Sequence, residues 1–122
     1  MRARILGGAL AAILLAALAA PLLAHMNLVK SEPPADAALK TAPRHVQVWF
    51  SQEPDPMVSK LEMNGPAGAV KLVGFHPMPD KSLMAMVGEK LTDGRYTVSW
   101  QAAGDDGHIQ KGEFAFTLNT GK

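Results

Sequence analysis

The sequence predicts an all-β fold: a small, seven-stranded Greek-key sandwich or barrel of immunoglobulin-like kind, preceded by a cleavable signal peptide. Three observations carry this reading. Apolar residues alternate at period two in several short runs, the mark of a strand with one face buried. Turn residues separate those runs at Asn64-Gly65-Pro66, Asp93-Gly94 and Gly104 to Gly107. Beyond residue 24, no stretch keeps a helical period over a dozen residues.

The first element is the leader. Arg2 and Arg4 precede apolar and small residues from Ile5 to Ala24, the layout of a secretory signal. The run is long enough for an uncleaved anchor, but it is rich in alanine and Pro21 interrupts its end, which favours removal. A cut after Ala24 divides the chain into a signal peptide, 1–24, and a domain, 25–122, that starts with His25. Ala17-Leu18-Ala19 fits the small-x-small cleavage rule better, and a cut there would leave the histidine inside a short tail.

The strands follow. Asn27 to Val29 is the first candidate, and Ser31 to Ala38, with Pro33 and Pro34, reads as an extended loop with at most one helical turn. Val46, Val48 and Phe50 share one face of the second strand, with Gln47 and Trp49 on the other. Leu61 and Met63 mark the third, and Val70 and Leu72 flank Lys71 in the fourth. Ser82 to Val87 is the fifth. Tyr96, Val98 and Trp100 define the sixth, directly after the hairpin signal Asp93-Gly94. Phe114, Phe116 and Leu118 define the seventh.

The 98 residues after the leader make one small domain. They carry 10 basic and 11 acidic side chains, a near-neutral balance that does not point to nucleic acid or an anionic membrane. The chain has no cysteine, so core packing alone must hold an exported domain and thiolate metal sites are excluded. Ser31, Ser51, Ser59, Ser82 and Ser99 lack a histidine and an acid at catalytic spacing. Neither a phosphate-cradling glycine loop nor H-E-x-x-H occurs.

The candidate chemistry is metal binding. Asp106 and His108 stand two apart, so on extended chain a carboxylate and an imidazole leave one side of the backbone. Asp-x-His is common by chance, and a solvated glycine-rich loop is the plain alternative. His25 adds weight. As a first residue it offers its α-amine and Nδ1 to one ion in a six-membered chelate ring. An amino terminus has a pKa of about 7.7–8, so the metal competes with a proton. Copper(II) does so best among first-row divalent ions, and its tetragonal preference suits amine, two imidazoles and a carboxylate. A frayed terminus without a partner is the alternative for His25. His76-Pro77-Met78, with Met84 and Met86, forms a second group whose soft thioethers suit copper(I), although methionine on a strand is commonly a sheet-face filler. His45, at a strand start, reads as a surface residue.

The chain resembles the CopC-type periplasmic copper-resistance proteins over essentially its whole length after the leader. The matching pieces are Ala24-His25, the run Leu28 to Asp36, Val46 to Ser51, Leu91 to Trp100, and Asp106-Gly107-His108 followed by Gly112 and Phe114 to Leu118. The resemblance implies a Greek-key β-sandwich that binds copper(II) outside the cytoplasm. His25 would supply amine and Nδ1, His108 an imidazole and Asp106 a carboxylate. It also implies a monomeric carrier or buffer, not an enzyme, working in the periplasm beside a CopD-type inner-membrane copper transporter.

Three departures qualify it. Gln52 stands where many members carry an acid after the Phe-Ser pair, which puts an outer-shell role there in doubt. Ile109 replaces a proline after the motif histidine. The segment 64–74 lacks the methionine density of members that hold copper(I), leaving only His76, Met78, Met84 and Met86 for a weak site. Two other function classes stay open: a metal-free immunoglobulin-like interaction module, and a copper-brace oxidative enzyme. The second is disfavoured by seven aromatics, several of them needed in the core.

Overall fold

The structure, a computed structural model, describes residues 26–121. The expected signal peptide, the alternative cut sites and His25 lie outside the described residues. Nine strands follow one another: β1 (Leu28–Glu32), β2 (Ala37–Leu39), β3 (His45–Phe50), β4 (Lys60–Gly65), β5 (Gly68–Val70), β6 (Leu72–Met78), β7 (Ser82–Val87), β8 (Gly94–Ala103) and β9 (Ile109–Leu118). They form two sheets, in the orders β1-β3-β7-β6 and β2-β9-β8-β4-β5. Pairing is antiparallel except between β2 and β9. The all-β sandwich read from periodicity is therefore the fold observed.

The strand count differs from seven for two local reasons. Ala37–Leu39 was expected to be loop, but it adds a short parallel edge strand, Ala37 opposite Phe116 and Leu39 opposite Leu118. Three residues, two half-buried around an exposed Ala38, are too few to show an alternation. Asp36 enters at φ 63° and its N–H donates to the Ala115 carbonyl at 2.7 Å, which docks the segment. Val70 and Leu72 do not share a strand. Val70 ends β5 in the five-stranded sheet and Leu72 opens β6 in the other, so the chain changes sheet at Lys71. The Lys71 N–H is satisfied by the Glu89 carboxylate at 2.8 Å.

The inner faces meet as the alternation requires. Val46, Val48 and Phe50 of β3 and Leu83 and Ala85 of β7 face Leu61 and Met63 of β4, Tyr96, Val98 and Trp100 of β8, and Phe114, Phe116 and Leu118 of β9. A fully buried side chain of this kind contributes about 1.5–3 kcal/mol of transfer free energy, and this layer is what holds the cysteine-free domain together. Tyr96 stacks on Phe116 at 5.3 Å and its hydroxyl donates to the Thr92 carbonyl at 2.6 Å, tying the strand to the preceding turn. Trp100 meets Phe50 edge-on at 5.2 Å. The indole fits because its cross-strand partner is Gly112, where an added Cβ would lie 2.5 Å from the ring.

The outer face of the four-stranded sheet is partly closed by polar contacts. Gln47 is buried although it points away from the core, because Nε2 donates to Ser82 Oγ at 2.8 Å. Ser82 Oγ in turn donates to Asp80 Oδ1 at 2.5 Å, and Trp49 Nε1 donates to Asp80 Oδ2 at 2.8 Å. These bonds, the Ser82 bond first, hold the Asp80 carboxyl below the ordinary aspartate value. Lys30 Nζ sits 4.5 Å from the centre of the Trp49 ring.

Candidate metal centre

Antiparallel register decides what gathers at each end of the sandwich. β3 and β8 end, and β4, β7 and β9 begin, at one common end. The β8–β9 connection, residues 104–108, lies there. Gly107 turns the chain at φ 73° and its N–H donates to the Gly104 carbonyl at 3.1 Å. The turn brings the two expected ligands of this loop together. Asp106 Oδ1 accepts the His108 N–H at 3.1 Å, and Asp106 Oδ2 lies 3.2 Å from His108 Nδ1. The Asp106 side chain is 22% exposed and that of His108 72%. A carboxylate on Nδ1 fixes the ring and its tautomer and directs Nε2 outward, as in many metal-ligating histidines. No group of three or more histidine, aspartate or glutamate side chains that could hold an ion is assembled among the described residues. His25 is not among them.

The chain next to His25 is pinned at this same end. Met26 is 1% exposed, and its Cβ lies 3.5 Å from where a Cβ on Gly104 would stand. Asn27 N–H donates to Ser51 Oγ at 2.8 Å, and Ser51 N–H returns a bond to the Asn27 carbonyl at 2.8 Å.

Sequence reasoning missed two residues here. Gln52, whose position was in doubt, accepts the Asp105 N–H on Oε1 at 3.3 Å and so ties the loop to the end of β3. A Cβ on Gly104 would fall 2.4 Å from that same oxygen. Met26 gave no signal, since an apolar residue beside an apolar leader looks like more leader. A cavity of 820 Å³ lies at the opposite end between Arg44, Leu91 and Thr120 and does not include the loop.

The second expected group also converges. On the outer face of the four-stranded sheet, His76 stands opposite Met84, Met78 opposite Ser82, and Met86 lies between Val73 and His45. His76 Nδ1 is 2.6 Å from the Gly74 carbonyl. His45, read as an isolated surface residue, is half-buried beside Met86.

These features define a single-domain β-sandwich with a carboxylate–imidazole pair on one end loop and the amino-terminal strand packed against that loop. The CopC domain family matches residues 28–119, and the chain belongs to that family. Among solved structures, it is similar to PcoC from Escherichia coli, a methionine-rich copper resistance protein, with 31% identity and a TM-score of 0.70 over 79% of this chain and 100% of that one. CopC from Methylosinus trichosporium OB3b gives 25% identity and a TM-score of 0.70 over 80% and 97%. Protein YobA of Escherichia coli is 29% identical over 98 residues, 78% of this chain and 79% of its own length.

Proposed function

We propose that the chain carries or buffers copper(II) in the periplasm, holding one ion between His25, His108 and Asp106. The α-amine and Nδ1 come from His25 and Nε2 from His108. Asp106 Oδ2 rests on His108 Nδ1 and turns away from that nitrogen to meet the ion, because the two ring nitrogens point apart and a carboxylate held on Nδ1 does not reach an ion on Nε2. This set of nitrogen and oxygen donors suits the tetragonal preference of copper(II). The observation that carries the reading is the burial of Met26 against Gly104, because it anchors the residue next to His25 at the Asp106–His108 loop. The domain acts as a monomer and hands copper to, or takes it from, a CopD-type membrane protein.

The test is a copper(II) titration of a chain shown by intact mass to begin at His25. One ion per chain with a tetragonal electron paramagnetic resonance signal is expected, lost in His25→Ala and in His108→Ala. Full stoichiometry in either variant overturns the assignment. Affinity should fall with pH, because amine and imidazoles must shed protons to bind. A chain with an extra amino-terminal residue should bind poorly.

A weaker copper(I) site on the outer sheet face is favoured by one observation: the register sets His76 opposite Met84 and His45 opposite Met86. Competition with a copper(I) chelator should show a second ion, lost in Met84→Ala together with Met86→Ala. An unchanged copper(I) stoichiometry refutes it.

A further inference from the structure

The end of the sandwich opposite the Asp106–His108 loop is open. Two connections cross between the sheets there, 40–44 from β2 to β3 and 88–93 from β7 to β8. One clasp joins them, the Val87 N–H donating to the Arg44 carbonyl at 2.9 Å. The chain then turns away, and the Gly88 N–H donates to the Lys71 carbonyl at 2.8 Å. Between the diverging connections lies the 820 Å³ cavity, and small-molecule sites commonly hold about 300–1,000 Å³.

Much of its lining is carbon. Leu91 belongs to the core at 9% exposure, and Val87 packs half-buried against that core. Met86 adds a side chain that is 38% exposed, and Pro43 a ring without an N–H.

Four charged side chains complete the lining, and they differ in what they already hold. Asp93 Oδ1 accepts the Thr120 N–H at 3.0 Å and the Thr120 hydroxyl at 2.8 Å. Glu89 Oε2 accepts the Lys71 N–H at 2.8 Å. Arg44 and Lys90 are exposed and enter no ion pair among the described residues. The wider surroundings are close to balanced: Lys40, Arg44, Lys71, Lys90 and Arg95 stand against Glu32, Asp36, Glu89 and Asp93, a net charge of +1 at this end. A preference for an anion therefore arises from the two uncommitted cations on the wall and not from the field of the whole end.

We propose that this cavity binds a small organic anion, a carboxylate carried on a short apolar body. The body lies on Leu91, Val87, Met86 and Pro43, and the carboxylate sits between Arg44 and Lys90. Burial of the body supplies most of the affinity, since it takes carbon surface out of water on both sides. The head group sets the orientation, because a guanidinium fork holds a carboxylate in one plane while an ammonium attracts it from any direction. The site shares no residue with the loop of Asp106 and His108, so it stands apart from the copper(II) reading.

The experiment titrates the purified protein with octanoate, 1-octanol, octylammonium and acetate while amide shifts are recorded. Octanoate should move the amides of 42, 44 and 86–93. It should bind at least about threefold more tightly than octanol or octylammonium, the scale expected of two exposed ion pairs. Acetate, which has the charge without the body, should leave the shifts in place. Arg44→Gln combined with Lys90→Gln should abolish the advantage of octanoate over octanol and leave octanol binding unchanged. Lys60→Gln combined with Lys111→Gln, which removes the same charge from the outer face of the five-stranded sheet, should keep that advantage. Octylammonium binding as tightly as octanoate, shifts centred elsewhere, or an advantage that survives in the Arg44/Lys90 variant overturns the proposal. So does cosedimentation with phosphatidylglycerol vesicles without any response to octanoate, which would assign the two cations to a membrane surface.

Discussion

Met26→Ala tests the link between packing and metal binding most directly. The side chain is buried at 1% exposure beside Gly104, next to the expected amino end. Truncating a buried methionine to alanine costs about 2–5 kcal/mol where the structure cannot collapse. Beyond it, the two Asn27–Ser51 bonds still hold the strand. The loss should therefore appear as fraying of the terminal residues more than as global unfolding. Copper must then reorder His25, and fixing one residue's backbone costs about 1–2 kcal/mol. At about 1.4 kcal/mol per tenfold, that predicts a copper(II) dissociation constant about five- to thirtyfold weaker. The assay is competition against a copper(II) chelator, with intact mass confirming a start at His25. Met26→Leu, which keeps most of the volume, should bind within about threefold of the parent, the ~0.6 kcal/mol left by a near-isosteric swap. Parent affinity in Met26→Ala would show that the buried methionine does not position the terminus and would refute the reasoning.

Three further outcomes follow from the same geometry. Asp106→Asn should weaken copper(II) by at least the about 10- to 100-fold that losing an outer-shell partner costs, because it removes a donor oxygen from the ion itself; an unchanged dissociation constant removes Asp106 from the site. Gly112→Ala should lower thermal stability, because its Cβ meets the buried Trp100 ring at 2.5 Å. Overpacking costs about 1–3 kcal/mol, which corresponds to roughly 4–24 °C in a domain of this size, and a melting temperature within a degree of the parent would show that the indole can shift. Asp80 has its carboxyl held below the ordinary value in the folded chain by Ser82 and Trp49. Its charged form therefore adds stability at neutral pH that is lost as pH falls through the folded value. Asp80→Asn should be less stable than the parent at pH 7, with the gap closing in denaturant melts below about pH 4; a gap independent of pH contradicts the linkage.

Gln52 ties the loop through a neutral amide, so the loop is positioned without adding a further carboxylate beside Asp105 and Asp106.

The amino-acid sequence alone determined the all-β class, six of the strands in place and the core faces of β3, β4, β8 and β9, because side-chain alternation is a local property that burial on one face imposes residue by residue. It also named Asp106 and His108, which are near neighbours in the chain. Only the tertiary structure decided what depends on distant partners. Ala37–Leu39 is a strand because β9 offers it an edge, and Val70 and Leu72 separate because the chain passes between sheets at Lys71. Gln47 is buried because Ser82 lies across the ladder, and His45 and His76 join the methionines through register. Above all, the packing of Met26 against Gly104, 78 positions away in the chain, puts the amino-terminal strand at the Asp-x-His loop. No local pattern encodes such a meeting, since it arises from how two sheets close over one core.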